Sequence, residues 1–171
     1  TLHDLFWASE GEPAELPIIK EFLQAHAGTA LELGCGSGRL LMPLLEDGYL
    51  IEGLDNSLEM LDLCREGAGD YDPVLHHASI DNFQTGSLYG AITIPAFTLQ
   101  FISPERLPEV LANIRKHLHP GGAIYITTFI PWAEITGELE ESKWVLDHES
   151  KMGKQGAARN TAKCHTRFKI K

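Results

Sequence analysis

A short apolar run, Thr29-Ala30-Leu31, passes directly into Glu32-Leu33-Gly34-Cys35-Gly36-Ser37-Gly38 and then into Arg39-Leu40-Leu41-Met42-Pro43-Leu44-Leu45. No other stretch constrains the fold as much. It predicts a short buried strand that breaks into a glycine turn and enters a helix. Glycines at alternate positions let the backbone turn sharply and let a ligand approach without a Cβ in the way. The helix N-terminus behind the turn offers N–H groups without intrahelical partners to an anionic or polar ligand group. The spacing is Gly-x-Gly-x-Gly, not the Gly-x-Gly-x-x-Gly of the usual dinucleotide loop. Glu32 stands two residues before the first glycine. A carboxylate there repels a pyrophosphate and attracts an ammonium group.

The chain has 171 residues, enough for one domain with a real core. Hydrophobic residues make up 43% and charged residues 22%, which is ordinary for a soluble globular protein. No apolar run approaches the roughly 18–20 residues that cross a bilayer. The N-terminus, Thr1-Leu2-His3-Asp4, carries no basic region and no apolar signal segment. It also lacks an initiating Met, so processing or truncation is expected. Cys35, Cys64 and Cys164 are widely spaced and form no Cys-x-x-Cys pair. That predicts reduced thiols in a cytoplasmic protein, without a disulfide frame or a zinc site. The net charge of −10 is uneven: residues 151–171 carry seven Lys or Arg and no Asp or Glu. The acidic remainder would repel a nucleic-acid backbone. The basic tail reads as a solvated segment that complements it.

Along the chain, Pro17–Leu23 has helical spacing and Gly28 stops it. Thr29–Leu33 is the first expected strand, and the helix after the glycine turn runs to about Asp47. Tyr49–Leu54 is the second strand, ending at Asp55. Asn56-x-x-Glu59 has the form of a capping box, with a helix over Leu58–Arg65. Pro73–His77 and Ala91–Ile94 are the third and fourth strands. Ser103-Pro104 is expected to open a helix, Ser as cap and Pro in the first position, with Leu107, Val110, Leu111, Ile114 and Leu118 on one face. Pro120-Gly121-Gly122 ends it, and Ala123–Phe129 is the fifth strand. Alternating strands and helices predict a mostly parallel sheet covered on both faces. Beyond Pro131 the pattern changes, and Cys164–Ile170 alternates as a half-exposed antiparallel strand does.

Asp55 lies 21 residues after Gly34. A carboxylate at the end of the second strand can accept both hydroxyls of a ribose; it can also cap a helix. The glycine loop at that distance favours the ribose. Cys35 reads as a small spacer, since no base is placed near it. His76 and His77 face opposite sides of a strand and read as packed or solvated. His117 and His119 stand at a helix C-terminus, where the cation is favoured. No catalytic triad, P-loop, zinc-protease motif or nucleophile elbow is present.

Glu32-Leu33-Gly34-Cys35-Gly36-Ser37-Gly38-Arg39, then Gly53-Leu54-Asp55-Asn56-Ser57-x-x-Met60-Leu61, then His119-Pro120-Gly121-Gly122 before a strand, resemble the class I methyltransferases that use S-adenosylmethionine. The resemblance spans about residues 3–131, and the first two motifs are specific as a pair. It implies an α/β fold: a Rossmann-like, doubly wound, mostly parallel sheet of seven strands, with a C-terminal antiparallel insertion or lid. Residues 1–131 would form the cofactor-binding domain, and residues 132–171 a lid of the same domain, truncated before the family's closing strands. S-adenosyl-L-methionine would be the cofactor and no metal is implied. Its contacts would come from Glu32, Gly34, Cys35, Gly36, Gly38, Asp55, Asn56, Ser79, Ile80 and Pro95. Ser79 stands where the family often has an acid beside adenine, and Ile80 at the apolar position that follows. Met60 matches a hydrophobic packing position. Ile94-Pro95-Ala96-Phe97 would lie near the transferring methyl, and it is not the Asn/Asp-Pro-Pro-aromatic motif of enzymes that methylate nucleic-acid amino groups. His3-Asp4-Leu5-Phe6-Trp7 resembles a segment that closes over the cofactor.

In-line displacement at a sulfonium needs alignment more than acid–base help, so the lack of a triad is compatible with methyl transfer. The expected acceptor is a small molecule, with nucleic acid and membrane disfavoured; the catalytic base and the oligomeric state are not legible. Two other classes stay open. One is an NAD(P)-dependent Rossmann oxidoreductase, disfavoured by the loop spacing and Glu32. The other is a non-catalytic cofactor-binding protein of the same fold. An RNA methyltransferase using the basic tail is a third possibility.

Overall fold

In the computed structural model, residues 13–129 and the two-residue strand Lys163–Cys164 are described. In chain order the elements are α1 (Leu16–Gln24), β1 (Ala30–Leu33), α2 (Leu41–Glu46), β2 (Ile51–Asp55), α3 (Leu58–Gly67), β3 (Leu75–His77), β4 (Tyr89–Ile94), a 3₁₀ turn (Thr98–Phe101), α4 (Leu107–Lys116), β5 (Leu118–Ile126), β6 (Thr128–Phe129) and β7 (Lys163–Cys164). Every residue of β1 and β4 is buried, as strands covered on both faces require. They form the middle of a five-stranded sheet of order β3-β2-β1-β4-β5. Each neighbouring pair is parallel.

The chain winds outward from β1 to β3 and then returns across β1 to β4 and β5. That reversal opens a crevice at the C-terminal ends of β1 and β4, where open α/β sheets bind ligands. Side chains alternate between two cores. One packs Leu16, Ile19 and Phe22 of α1 with Leu41, Leu44 and Leu61 on one face of the sheet. The other packs Leu31, Leu33, Leu54, Ile92 and Ile94 against Phe83 and against Val110 and Ile114 of α4. The mostly parallel, doubly covered sheet expected from the sequence is present, with five strands among the described residues. Of the expected lid over 132–171, only the antiparallel pairing of Thr128–Phe129 with Lys163–Cys164 falls within them. His3–Trp7 lies outside them.

Some local expectations shift. The helix after the glycine turn begins at Leu41, because Cys35–Gly38 closes a turn of its own, Gly38 N–H donating to Cys35 O. Ser103 does not cap α4. Its carbonyl accepts from Arg106 N–H and Leu107 N–H, making a separate turn, and the proline in the first helical turn is Pro108. Residues 123–129 are not one strand: Thr127 N–H turns to Ile94 O and separates β5 from β6.

Pro120-Gly121-Gly122 lies within β5 rather than before it. Its register with β4 jumps from Tyr89↔Leu118 to Ala91↔Ala123, so the intervening residues bulge. Gly90 sits opposite this bulge, and a Cβ on it would run into the carbonyl oxygen of Ala27. Gly90→Ala should therefore lower stability by about 1–3 kcal/mol, read by urea denaturation. Gly67→Ala, at the end of α3 with open space around its Cβ position, should be neutral or stabilise by up to about 1 kcal/mol.

Candidate functional site

The glycine turn is held against the end of β2. Gly34 N–H and Cys35 N–H both donate to Leu54 O, at 2.7 and 3.0 Å. The glycines serve different ends. At Gly34, φ is +77°, and a Cβ would lie 2.5 Å from Cγ2 of Thr98. This glycine is required by protein packing, because the turn after β4 rests on it. At Gly36, φ is +56° and the Cβ position is open space. Its N–H donates to Oδ2 of Asp55 at 2.9 Å. A Cβ on Gly38 would meet Sγ of Cys64, so that residue faces α3.

Asp55 ties two loops together: Oδ1 accepts from Ser57 N–H at 2.8 Å while Oδ2 holds Gly36. A carboxylate offers about four lone-pair sites, so acceptor capacity remains for two further donors. The α3 cap is Ser57, whose hydroxyl oxygen accepts from Met60 N–H. The expected cap at Asn56 is thus displaced by one residue, because Asp55 draws in Ser57 N–H, and the reading of Asp55 as helix cap falls away.

A cleft of about 560 Å³ opens over this junction. Glu32, Gly34, Cys35, Gly36, Asp55, Asn56, Ser79, Ile80 and Pro95 all line it. Gly38, expected among them, does not. Arg39, Met60, Asp81, Ala96, Thr98 and Phe101 also line it. Arg39 closes the glycine motif and Asp81 stands two residues beyond Ser79, in the segment 78–83 that resembles the family's adenine flank; neither was expected among the cofactor contacts. Thr98 and Phe101 come from the 3₁₀ turn, which left no periodic signal.

Glu32 is 2% exposed, and its Oε2 has no hydrogen-bond partner among the described residues. Burial pushes its carboxyl up to about 8, opposed by the Arg39 charge and assisted by Glu15 and Asp55. Arg39 Nη2 lies 3.5 Å from Glu15 Oε2. The Thr127 hydroxyl donates to Glu15 Oε1 at 2.6 Å, joining the start of α1 to the end of β5. Burial also pushes the Cys35 thiol far above its ordinary range, which fits a spacer and not a nucleophile. His76 lies 2.7 Å from Glu52 Oε2, which also accepts from the Tyr89 hydroxyl. His117 caps the C-terminus of α4 as expected; it is buried, with Nδ1 2.9 Å from Asn113 O and its ring tilted against Phe83 at 4.3 Å.

Backbone strain gathers at the other wall. Ala96 and Phe97, directly after β4, have φ of +52° and +63°. Each costs about 1–2 kcal/mol for a residue with a Cβ. The turn is held by Thr98, whose N–H and hydroxyl both donate to Pro95 O, at 3.1 and 2.8 Å. Strain of this kind collects where a fold positions a site. The cleft therefore combines the carboxylates of Glu32, Asp55 and Asp81, the glycine turn and apolar walls from Leu54, Ile80 and Ile102.

Residues 30–122 match the family model described as a methyltransferase domain. The chain is 25% identical over 169 residues to the dTDP-3-amino-3,6-dideoxy-alpha-D-glucopyranose N,N-dimethyltransferase of Streptomyces fradiae, covering 92% of this chain and 66% of that protein. It is 34% identical over 124 residues to the carboxy-S-adenosyl-L-methionine synthase of Stutzerimonas stutzeri, covering 64% of this chain and 48% of that one. The crystal structure of Streptomyces venezuelae DesVI superimposes with a TM-score of 0.66 at 25% identity, over 74% of this chain and 55% of that one. The fold thus defines a Rossmann-like, doubly wound α/β domain. The chain belongs to the methyltransferase-domain family, and it spans between about half and two thirds of the length of these relatives.

Glu32 also sets a pH dependence. Its carboxyl is raised on folding, so the folded state binds more protons and stability falls as pH rises from about 4.5 towards 8. Thermal melts of the ligand-free protein should show this decline. Glu32→Gln should flatten it, and an unchanged slope would count against a buried neutral Glu32.

Proposed function

We propose that the cleft holds S-adenosylmethionine and that the chain transfers its methyl group to a small-molecule acceptor. The observation that carries this reading is the pairing of two carboxylates across the glycine turn. Asp55 is fixed by two backbone donors with acceptor capacity left over, and Glu32 is buried with one oxygen unpartnered. The first suits the two hydroxyls of a ribose. The second suits an ammonium group, whose positive charge would favour the ionised carboxylate, its proton leaving to solvent, and whose N–H would supply the missing donor. Gly36 leaves space where a side chain would block the nucleoside. Gly34 acts from behind, letting Thr98 and the Pro95 turn close one wall.

The cofactor, when bound, supplies a methyl on a sulfonium that leaves readily as a neutral thioether. The chain's work is alignment, which can be worth effective molarities of about 10⁵ M or more. The rigid turn Pro95–Thr98 and the apolar residues Leu54, Ile80 and Ile102 fix the cleft's shape. Arg39, Glu15 and Thr127 tie the start of α1 to the end of β5 beside Glu32. A small acceptor is supported by the relative named for an amino-sugar nucleotide and by the acidic character of residues 1–150. The segment 132–171 is proposed as the lid over that acceptor.

Calorimetric titration with S-adenosylhomocysteine and with NADH tests the reading. Heat from the first alone is expected; heat from NADH alone would transfer the site to nicotinamide chemistry. Asp55→Ala should weaken S-adenosylhomocysteine roughly 10- to 100-fold, the loss of one charged-acceptor hydrogen bond or more. Affinity should also tighten as pH rises from 6 to 8, because Glu32 must shed a proton to meet the ammonium. Glu32→Gln should remove that dependence.

A further inference from the structure

Glu32 and Thr93 are partners in the pairing of β1 with β4, so their side chains leave the same face of the sheet. One step earlier on that face, Ala30 and Ala91 pack in the core with Leu16, Ile19 and Phe22 of α1. The next row runs Gly53, Glu32, Thr93, Tyr125 across β2, β1, β4 and β5. Gly53 has no side chain, so Thr93 is the polar residue that the sheet sets beside Glu32.

Two buried oxygens of this row have no hydrogen-bond partner among the described residues: Oε2 of Glu32 and Oγ1 of Thr93. The two residues are 2% and 1% exposed. Valine would fill the place of Thr93 with nearly the same shape, and an unpaired buried hydroxyl costs stability. Packing alone therefore does not account for a threonine here. Neighbouring strands lie about 4.8 Å apart, and the threonine χ1 has more than one staggered well, so the hydroxyl can turn to the carboxylate beside it.

The charged groups that face Glu32 from other elements are Arg39 of the glycine turn, Glu15 before α1 and Asp55 at the end of β2. The thiols of Cys35 and Cys64 also feel its charge, and the Tyr125 phenol belongs to the same row. Among these, Arg39 favours the carboxylate, and it also lies against Glu15. An ionised Glu32 thus has a donor to gain from Thr93. Glu32 lines the cleft, while Thr93 stands behind it in the sheet and outside the lining. A carboxylate oxygen has room for two donors, so Thr93 and a ligand's ammonium do not compete.

We propose that Thr93 is the positioning residue of Glu32: its hydroxyl donates to Oε2 once the carboxylate is charged, and holds that carboxylate ready for the ammonium of a ligand. The ammonium is that of the function proposed above, on which this part of the inference rests. Thr93 acts through Glu32 and does not touch the ligand.

The test compares Thr93→Val with Thr93→Ser in thermal melts of the ligand-free full chain from pH 4 to 10. Loss of a donor to a charged group raises the Glu32 carboxyl by about one to two pH units. In Thr93→Val the decline of stability should therefore run to higher pH by that amount, with the variant at least as stable as the unaltered protein at pH 5 and less stable above pH 8. Thr93→Ser should follow the unaltered protein. In a Glu32→Gln background Thr93→Val should leave the profile unmoved, a result that a packing role would not give. Calorimetric titration with S-adenosylhomocysteine should show the rise in affinity moved up by the same one to two units in Thr93→Val alone. A Thr93→Val profile that coincides with that of the unaltered protein, or that moves equally with Gln at position 32, would overturn the assignment. Should S-adenosylhomocysteine not bind the unaltered protein, the proposed function is overturned, while the ligand-free melts still support or overturn the Thr93–Glu32 bond on the same terms.

Discussion

The bridge that Asp55 makes between Gly36 N–H and Ser57 N–H is the constraint on which the rest of the site depends. It fastens the loop after β1 to the loop after β2, so the two behave as one wall. It removes Asp55 from helix capping, which passes to Ser57, and leaves a charged acceptor at the crevice where the strand order reverses. The bridge also requires Gly36 in the left-handed region. A side chain there would be strained and would intrude on the cleft.

Around that bridge the fold keeps several costly features. Glu32 is buried without a full set of partners, Asp81 has one oxygen shut away, and Ala96 and Phe97 both hold left-handed backbone. Natural folds keep features of this kind mainly at sites that bind or react. Here Glu32, Asp81 and Ala96 line one cleft, and Phe97 follows Ala96 in the same turn. In the proposed function they form one preorganised receptor, with carboxylates that suit the donors of a cationic nucleoside and an unyielding turn opposite.

Much of this was legible in the sequence because its signals are local. A buried strand, alternate glycines and an apolar helix lie within seventeen consecutive residues, and the carboxylate that answers them closes the next strand. Helix and strand periods placed β1, β2, β4 and α1 near their true positions. What could not be read depends on distant partners. Asp81 is anchored by Arg106, twenty-five residues away, as well as by the neighbouring Ser79. Gly34 owes its place to Thr98, not to a ligand, and Gly90 owes its place to the carbonyl of Ala27. The Pro-Gly-Gly bulge inside β5 and the late start of α4 follow from hydrogen bonds that local propensity does not encode. Glu15 and Thr127, joined across 112 residues, left no sequence trace.

The most direct test of the central claim is a crystal structure of the chain soaked with S-adenosylhomocysteine. The ribose hydroxyls should lie within hydrogen-bond distance of Asp55 and the amino nitrogen beside Glu32. A nucleoside seated with its ribose away from Asp55, or a phosphate-bearing ligand against Gly34–Gly38 in its place, would contradict it.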